Sequence, residues 1–501
     1  MLKKVSVSLA GLLLLASPVM AVDIPEGLAP APAYNCDYEP SCEVAPGIYG
    51  NMASPVKSKF NLSIGGFVEL DYAYNSQNLG ANGFALPGSP GGTISTEGQA
   101  AYQKDQSTFS ARTSRFWLKV AGPTFLGAKT NALIEADFAG TSTSDTNVNV
   151  NEGGFLRLRH AYGTLDWANT QVMFGQYWDI FGPAAAATLD FRHAANMGTP
   201  NNPRVAQVRL TQKVNFNSDN YLKLIVGLQN PTEDATTIIA GQSGATITLA
   251  SGTTNAGGSV PNVAGQMMFV SKALGVAPGS FGLSMNSLQA GFFGLWSTQK
   301  VNRPNAPYYV NHDVDVYGYG FYAFMPLVKS KDGKNRAMTA SLETQAYIAS
   351  GMDWNGATSN FPFLSATNGV TTGSAGTGGQ AASLVNNYSS GAKNFGVYGQ
   401  VIFYPTQDLG ITTGYARRNA LNNGTYVTSP AVSTGNNFEE FNDILYANAA
   451  YDLNAAVRVG AEYLYCRSQF HNTNQLTGAT GALVGRFGQL NGVRVVGYYF
   501  F

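Results

Sequence analysis

From Phe60 to the last residue the sequence alternates apolar and polar side chains in one strand-length segment after another, and this period of two commits the chain to a β architecture. Phe60, Leu62, Ile64, Val68, Leu70, Tyr72 and Tyr74 share one parity, while Asn61, Ser63, Glu69, Asp71 and Asn75 take the other. A strand written this way has one oily face and one wet face. The pattern returns at 128–139, where Thr130, Ala132, Ile134, Ala136 and Phe138 oppose Lys129, Asn131, Glu135 and Asp137. At 204–217, Ala206, Val208, Leu210, Val214 and Phe216 oppose Gln207, Arg209, Thr211 and Lys213. At 455–466, Val457, Val459, Ala461, Tyr463 and Tyr465 oppose Arg458 and Glu462.

Followed along the chain, the pattern predicts sixteen strands near 60–75, 109–121, 128–139, 155–167, 170–178, 204–217, 220–230, 263–272, 287–300, 313–326, 337–349, 394–404, 409–418, 442–452, 455–468 and 485–501. Segments 263–272 and 287–300 alternate poorly. Long connections (76–108, 140–154, 179–203, 231–262, 301–312, 350–393, 419–441 and 469–484) take turns with short ones such as Ala168-Asn169 and Leu453-Asn454. That rhythm is expected of an up-and-down barrel with long loops at one end and tight turns at the other. A soluble sandwich or propeller also alternates. With 44% hydrophobic and only 12% charged residues, however, so many strands could not be solvated.

After the N-terminus no stretch approaches the roughly 20 apolar residues that a spanning helix needs. The fold class is therefore all-β: a 16-stranded antiparallel transmembrane barrel with long extracellular loops and short periplasmic turns. Tyr72 and Tyr74, Phe216 and Tyr221, Phe403 and Tyr404, and Tyr463 and Tyr465 fall near segment ends, where an interfacial aromatic girdle is expected. Thirty basic residues balance thirty acidic ones, so there is no polybasic field to hold a nucleic acid.

Residues 1–21 read as a cleaved signal peptide: Lys3 and Lys4, an apolar run from Val5 to Ala16, then Val19-Met20-Ala21 at the cleavage positions. Residues 22–59 hold six prolines and read as an extended periplasmic segment without a core. Its Cys36 and Cys42, in an exported chain, are disulfide candidates. Cys466 reads as an inert, shielded thiol. The barrel takes 60–501.

The last strand ends at Phe501, with Tyr499, Val495 and Val493 on its parity and Arg494 opposite. A terminal Phe with an aromatic two positions earlier resembles the signal by which the barrel-assembly machinery of Gram-negative bacteria recognises outer-membrane barrels. Arg112-Thr113-Ser114-Arg115-Phe116-Trp117-Leu118, Ala132-Leu133-Ile134-Glu135-Ala136-Asp137-Phe138, Leu158-Arg159-His160-Ala161-Tyr162 and Phe174-Gly175-Gln176 are similar to segments of the DcaP-type trimeric porins. The resemblance is clearest over 60–230 and at the last strand, and porin-like proteins of metal-reducing bacteria offer a second comparison. It implies an outer-membrane location, a homotrimer and an aqueous channel, with surrounding lipid and lipopolysaccharide as partners. That type carries a helical coiled coil before the barrel, whereas residues 22–59 here are proline-rich.

Sixteen strands enclose a lumen wide enough for water. Parity turns Arg115, Lys119, Arg157, Arg159, Arg209 and Lys213 inward on strands two, four and six, with Glu135 and Asp137 on the strand between the first two. Two readings stand. The arginines either pair with inward acids and stiffen the wall, or form an electropositive track that gives a mild preference for anions. The third long loop, 179–203, carries Asp179, Asp190, Arg192 and His193, and by resemblance it folds into the lumen and sets the constriction; its run Ala184–Ala187 is a candidate short helix. Arg112 lies on the oily parity near the outer end, a candidate for lipopolysaccharide phosphate. Arg336 falls in a short connection.

No GxSxG, Walker or HxxxH motif appears among residues that include only four histidines, so no enzyme, cofactor or metal site is expected. A barrel serving as scaffold or conduit for an electron-transfer partner, and a barrel hydrolase, are the alternative readings. Deleting Phe501 is expected to lower the amount of heat-modifiable barrel in the outer membrane, because closure depends on the last strand; an unchanged yield would remove Tyr499 and Phe501 as an assembly signal.

Overall fold

A computed structural model of the chain describes residues 61–79, 94, 102, 104–140, 154–189, 198–200, 203–230, 238–240, 246–248, 260–282, 284–305, 308–352, 393–421, 439–470 and 487–501. The expected signal peptide and the segment with Cys36 and Cys42 lie outside these residues. The barrel strands are β1 Asn61–Asn75, β2 in two halves (Gln106–Ser110 and Arg115–Ala121), β3 Lys129–Gly140, β4 Phe155–Asp166, β5 Thr170–Trp178, β6 Arg204–Asn215, β7 Asn220–Gln229 and β8 Asn262–Ser271. They continue as β9 Leu288–Asn305, β10 Tyr308–Val328, β11 Thr339–Ser350, β12 Lys393–Tyr404, β13 Leu409–Ala420, β14 Glu439–Asp452, β15 Val457–Phe470 and β16 Phe487–Phe500.

Each strand pairs antiparallel with the next. The ring closes where β16 pairs with β1, from Phe67 opposite Phe500 to Asn75 opposite Gly492. Beyond that register the Gly66 and Phe501 amides exchange hydrogen bonds of 3.0 Å. The sixteen-stranded antiparallel barrel expected from the sequence is therefore present, with both ends of the described chain on the short-turn side.

The two rows of each strand separate as the alternation predicts. On β1, Leu62, Ile64, Val68 and Leu70 are exposed on the outside, while Phe67, Glu69, Asp71, Ala73 and Asn75 are buried on the inside. On β6, Val208, Leu210 and Val214 face out and Gln207, Arg209 and Thr211 face in. Outward apolar rows suit hydrocarbon, and the closed ladder leaves no strand edge to satisfy there. Cys466 is free and buried on the inner row of β15.

Four details differ from the alternation alone. Strand β2 breaks at residues 111–114, where its register against β1 slips by one residue, from Asp71–Ser110 to Phe67–Arg115. Thr113 Oγ1 donates to Asp71 Oδ2 (2.9 Å) across the break. Arg112 consequently does not face lipid: it is buried and donates from Nη2 to the Gly140 carbonyl (2.9 Å), so it is no lipopolysaccharide contact. Second, β9 and β10 run on through the expected loop 301–312 and pair up to Asn305 opposite Tyr308.

Third, two of the eight expected girdle residues do not face out: Tyr221 and Tyr404 are buried on the inner rows, whereas Tyr72, Tyr74, Phe216, Phe403, Tyr463 and Tyr465 lie on the outer ones. Fourth, Arg336 is no isolated turn charge: it donates to Asp452 Oδ2 (3.2 Å) and lies over the Tyr404 ring.

Strands β8 and β9 alternate poorly because both of their faces are apolar. Ala264, Met268, Phe293 and Leu295 belong to a buried cluster inside the barrel, together with Tyr322, Phe324, Tyr347, Tyr398 and Tyr446 from β10, β11, β12 and β14. Small residues make room for these rings: a Cβ at Gly320 would meet Phe293, one at Gly396 would meet Tyr347, and one at Gly414 would meet Tyr446. Half of the lumen is thus lined by a packed aromatic core.

If the short turns are periplasmic, a cysteine placed at Asp219 should resist a membrane-impermeant thiol reagent on intact cells, whereas one at Leu421, at the long-loop end, should be labelled. The reverse pattern would invert the topology.

Candidate functional site

The lumen is built from two arcs of different chemistry. The first spans β2 to β7 and is basic. Arg115 Nη1 lies 3.5 Å from Glu135 Oε1, and Arg159 Nε bonds the same carboxylate oxygen. Arg159 Nη1 also reaches Asp137 Oδ2 at 2.9 Å, and Arg157 forks onto Asp137 through Nε (2.9 Å) and Nη2 (2.6 Å). Asp137 is fully buried, while the Arg157 side chain keeps 35% of its surface exposed.

These contacts follow from register. Arg115 stands opposite Asp137, Asp137 stands opposite Arg157, and the ladder slips between Glu135 and Ala136, so that Arg159 and His160 are both buried on the inner side. That bulge is invisible to simple alternation, which would have turned His160 outward.

Aromatic rings hold three further cations of this arc. Arg209 lies 4.8 Å over Tyr177, Arg204 4.8 Å over Trp178, and Lys213 5.2 Å from the Tyr221 ring. His160 packs against Tyr177 and Trp178 at centroid distances of 5.0 and 5.1 Å. Planar guanidinium groups stacked on rings are fixed in direction at little entropic cost. Lys223 is buried directly opposite Lys213 and belongs to the same arc, although the sequence analysis did not single it out. Lys119 is half-buried, on the parity of Arg115.

The second arc carries a segment of chain. After β5, residues 179–189 turn into the barrel and run along its inner wall. Asp179 starts the turn: its amide donates to the Pro203 carbonyl (2.8 Å), which ties the loop's two ends together, and its Oδ1 accepts the Phe181 amide (3.1 Å). Inner side chains of successive strands then clamp the loop backbone. Gln266 of β8 donates to the Ile180 carbonyl (2.6 Å), Gln345 of β11 accepts the Ala184 amide (3.3 Å), and Gln400 of β12 accepts the Ala187 amide (2.8 Å). Asn448 of β14 donates to the Ala187 carbonyl (2.7 Å), and Glu462 of β15 accepts the Leu189 amide (2.8 Å).

The loop's apolar side chains sit in notches left by glycines of the wall. Ile180 lies over Gly227, Phe181 over Gly318 and Leu189 over Gly460. The expected short helix at Ala184–Ala187 does not form, because the backbone groups a helix would use internally are bonded to wall side chains instead. Asp190, Arg192 and His193 lie outside the described residues. Tyr499 and Phe501 face outward at the seam between β16 and β1.

Among the described residues no group of His, Cys, Asp and Glu side chains could hold a metal ion. Inside the barrel, a charged wall on β2 to β7 and an inward loop held from β8 to β15 thus share the interior.

No protein-family model matches the sequence, and no curated protein is similar to it. Solved structures are similar in fold. The outer membrane channel DcaP of Acinetobacter baumannii superposes with a TM-score of 0.57 at 19% identity, over 89% of this chain and 99% of that one. An anion-selective porin from Comamonas acidovorans gives 0.46 at 11% identity over 88% and 100%, and OprB of Pseudomonas putida gives 0.46 at 10% over 88% and 94%. The fold is that of an outer-membrane porin.

Breaking the buried ion network should be costly. Asp137→Ala leaves Arg157 and Arg159 without their shared carboxylate and should lower stability by about 3–5 kcal/mol. The check is a lower temperature for conversion of the folded band on detergent gels.

Proposed function

We propose that this chain is an outer-membrane porin, a water-filled channel for passive diffusion of small hydrophilic solutes with a mild preference for anions. The observation that carries the reading is the inward loop 179–189, clamped from β8 to β15, facing a wall on β2 to β7 where basic side chains outnumber acidic ones. A closed barrel with such a loop narrows a wide lumen to an eyelet without any catalyst. Diffusion needs only a polar path, a constriction and a field.

The charges divide by role. Arg115 and Arg159 are buried in pairs with Glu135 and Asp137 and mainly hold the wall together. Arg157, half-exposed beyond its fork to Asp137, presents positive charge to a passing ion, and Arg209, buried against Tyr177, adds to the positive field from within the wall. Asp190, Arg192 and His193 complete the eyelet in this reading. The protein is exported through its cleaved N-terminal signal, with Cys36 and Cys42 oxidised. It is inserted by the barrel-assembly machinery through Tyr499 and Phe501, and works as a homotrimer among lipid and lipopolysaccharide.

The test is single-channel recording in a planar bilayer under a KCl gradient. Replacing Arg157 and Arg209 with Gln should move the reversal potential towards cation selectivity. Lys334→Gln, in an exposed turn, should leave it unchanged, because charges beyond about 8 Å are screened at physiological salt. A wild-type pore that prefers cations, or a double variant with the wild-type potential, would overturn the anion preference. Absence of any conductance would overturn the channel.

A further inference from the structure

The connection between β8 and β9 is a folded insert. Lys272–Gly275 close a first turn, Ala277–Pro278 pair with Met285–Asn286, and the bend between them is a 3-10 turn over Ser280–Gly282. The insert returns into the barrel instead of ending at its rim. Ser341 on the inner row of β11 donates Oγ to the Pro278 carbonyl (2.9 Å), and Gln400 Nε2 on β12 lies 3.4 Å from Ser280 Oγ.

Its tip reaches further still. Phe281 is 6% exposed and packs in a cluster with Leu189 of the inner loop, Ala450 of β14, and Tyr498 and Phe500 of β16. The insert is rooted at β8 and β9, on the opposite side of a sixteen-strand ring from the β16–β1 seam, and it runs inside the barrel past β11, β12 and β14 towards that seam from the short-turn side. Phe281 holds φ at 58°, a left-handed conformation that a non-glycine residue adopts only against strain. Surrounding contacts must impose it.

Gln400 joins the two inward elements. Its Oε1 accepts the Ala187 amide (2.8 Å) and the Tyr446 hydroxyl (2.6 Å), while its Nε2 donates to Glu343 Oε2 (2.5 Å) and faces Ser280. One buried amide therefore holds the loop that enters from the long-loop end and the insert that enters from the other.

We propose that residues 273–286 form a second constriction element, a fixed plug beneath the inner loop that limits solute size and confines passage to the basic arc of β2 to β7. The inference rests on the porin reading. A solute that clears the loop, where Arg157 keeps an exposed guanidinium, still has to pass the insert and Phe281. Small anions are the solutes such a path admits best.

The experiment compares three full-length proteins in planar bilayers and in liposomes swollen by sugars of graded size. They are the wild type, a variant with residues 276–286 replaced by an Asn-Gly turn, and Phe281→Gly, which the left-handed backbone accepts. Folding is checked by heat modifiability; if the replacement variant does not fold, Phe281→Gly and Gln400→Ala decide. Removing the insert should roughly double the single-channel conductance and admit sugars that the wild type excludes, with Phe281→Gly falling between. Folded variants with wild-type conductance and size limit overturn the plug and leave the porin intact. If none of the proteins conducts, the porin reading fails and the plug fails with it.

Discussion

A backbone amide or carbonyl left unpaired in hydrocarbon costs several kcal/mol, and the pairing of β16 with β1 is where this chain meets that constraint. Every other strand finds its partner next to it in sequence. Only this seam joins residues more than 400 positions apart, from Phe67–Phe500 to Asn75–Gly492, with the Gly66–Phe501 amide exchange as its last rung. The Phe501 ring lies where a side chain on Gly66 would be, so the seam is covered on its lipid face. Closure then frees the inner rows from any duty to lipid, and they diverge in chemistry.

The divergence organises the lumen. On β2 to β7 the inner rows carry arginines and lysines, steadied by two buried carboxylates and by stacking on Tyr177, Trp178 and Tyr221. On β9 to β14 they carry tyrosines and phenylalanines around glycine notches, a surface suited to chain and not to water. The inner loop and the β8–β9 insert lie on that second surface and bond some of its buried amides, with Gln400 serving both. The same glycines that lower the charge density of the chain are the seats of the elements that narrow it.

Much of this was legible in the sequence. Alternation located sixteen strands and the lipid face, and parity turned Arg115, Glu135, Asp137, Arg157, Arg159, Arg209 and Lys213 inward, as the structure has them. What parity could not supply was register. Which arginine meets which carboxylate depends on the slip between Glu135 and Ala136 and on the break in β2, and a one-residue bulge leaves no mark in hydropathy. Arg112 was misplaced for that reason. Poor alternation in 263–272 and 287–300 was itself a signal: an inner row as apolar as the outer one means that something packs against it from within.

The sequence by itself determined the barrel, because a period of two in a chain poor in charge and without a spanning helix leaves few other ways to bury oily faces while pairing every backbone group. It also turned most of the inner row inward, apart from His160 and Arg112, which the bulge and the break in β2 placed. Tertiary structure alone decided how that interior is divided, since residues 179–189 and 273–286 owe their places to clamps and notches contributed by strands distant in sequence. Local propensity favoured a helix at Ala184–Ala187. Contacts with the wall outweighed it, because the Ala184, Ala187 and Leu189 amides found side-chain acceptors on β11, β12 and β15.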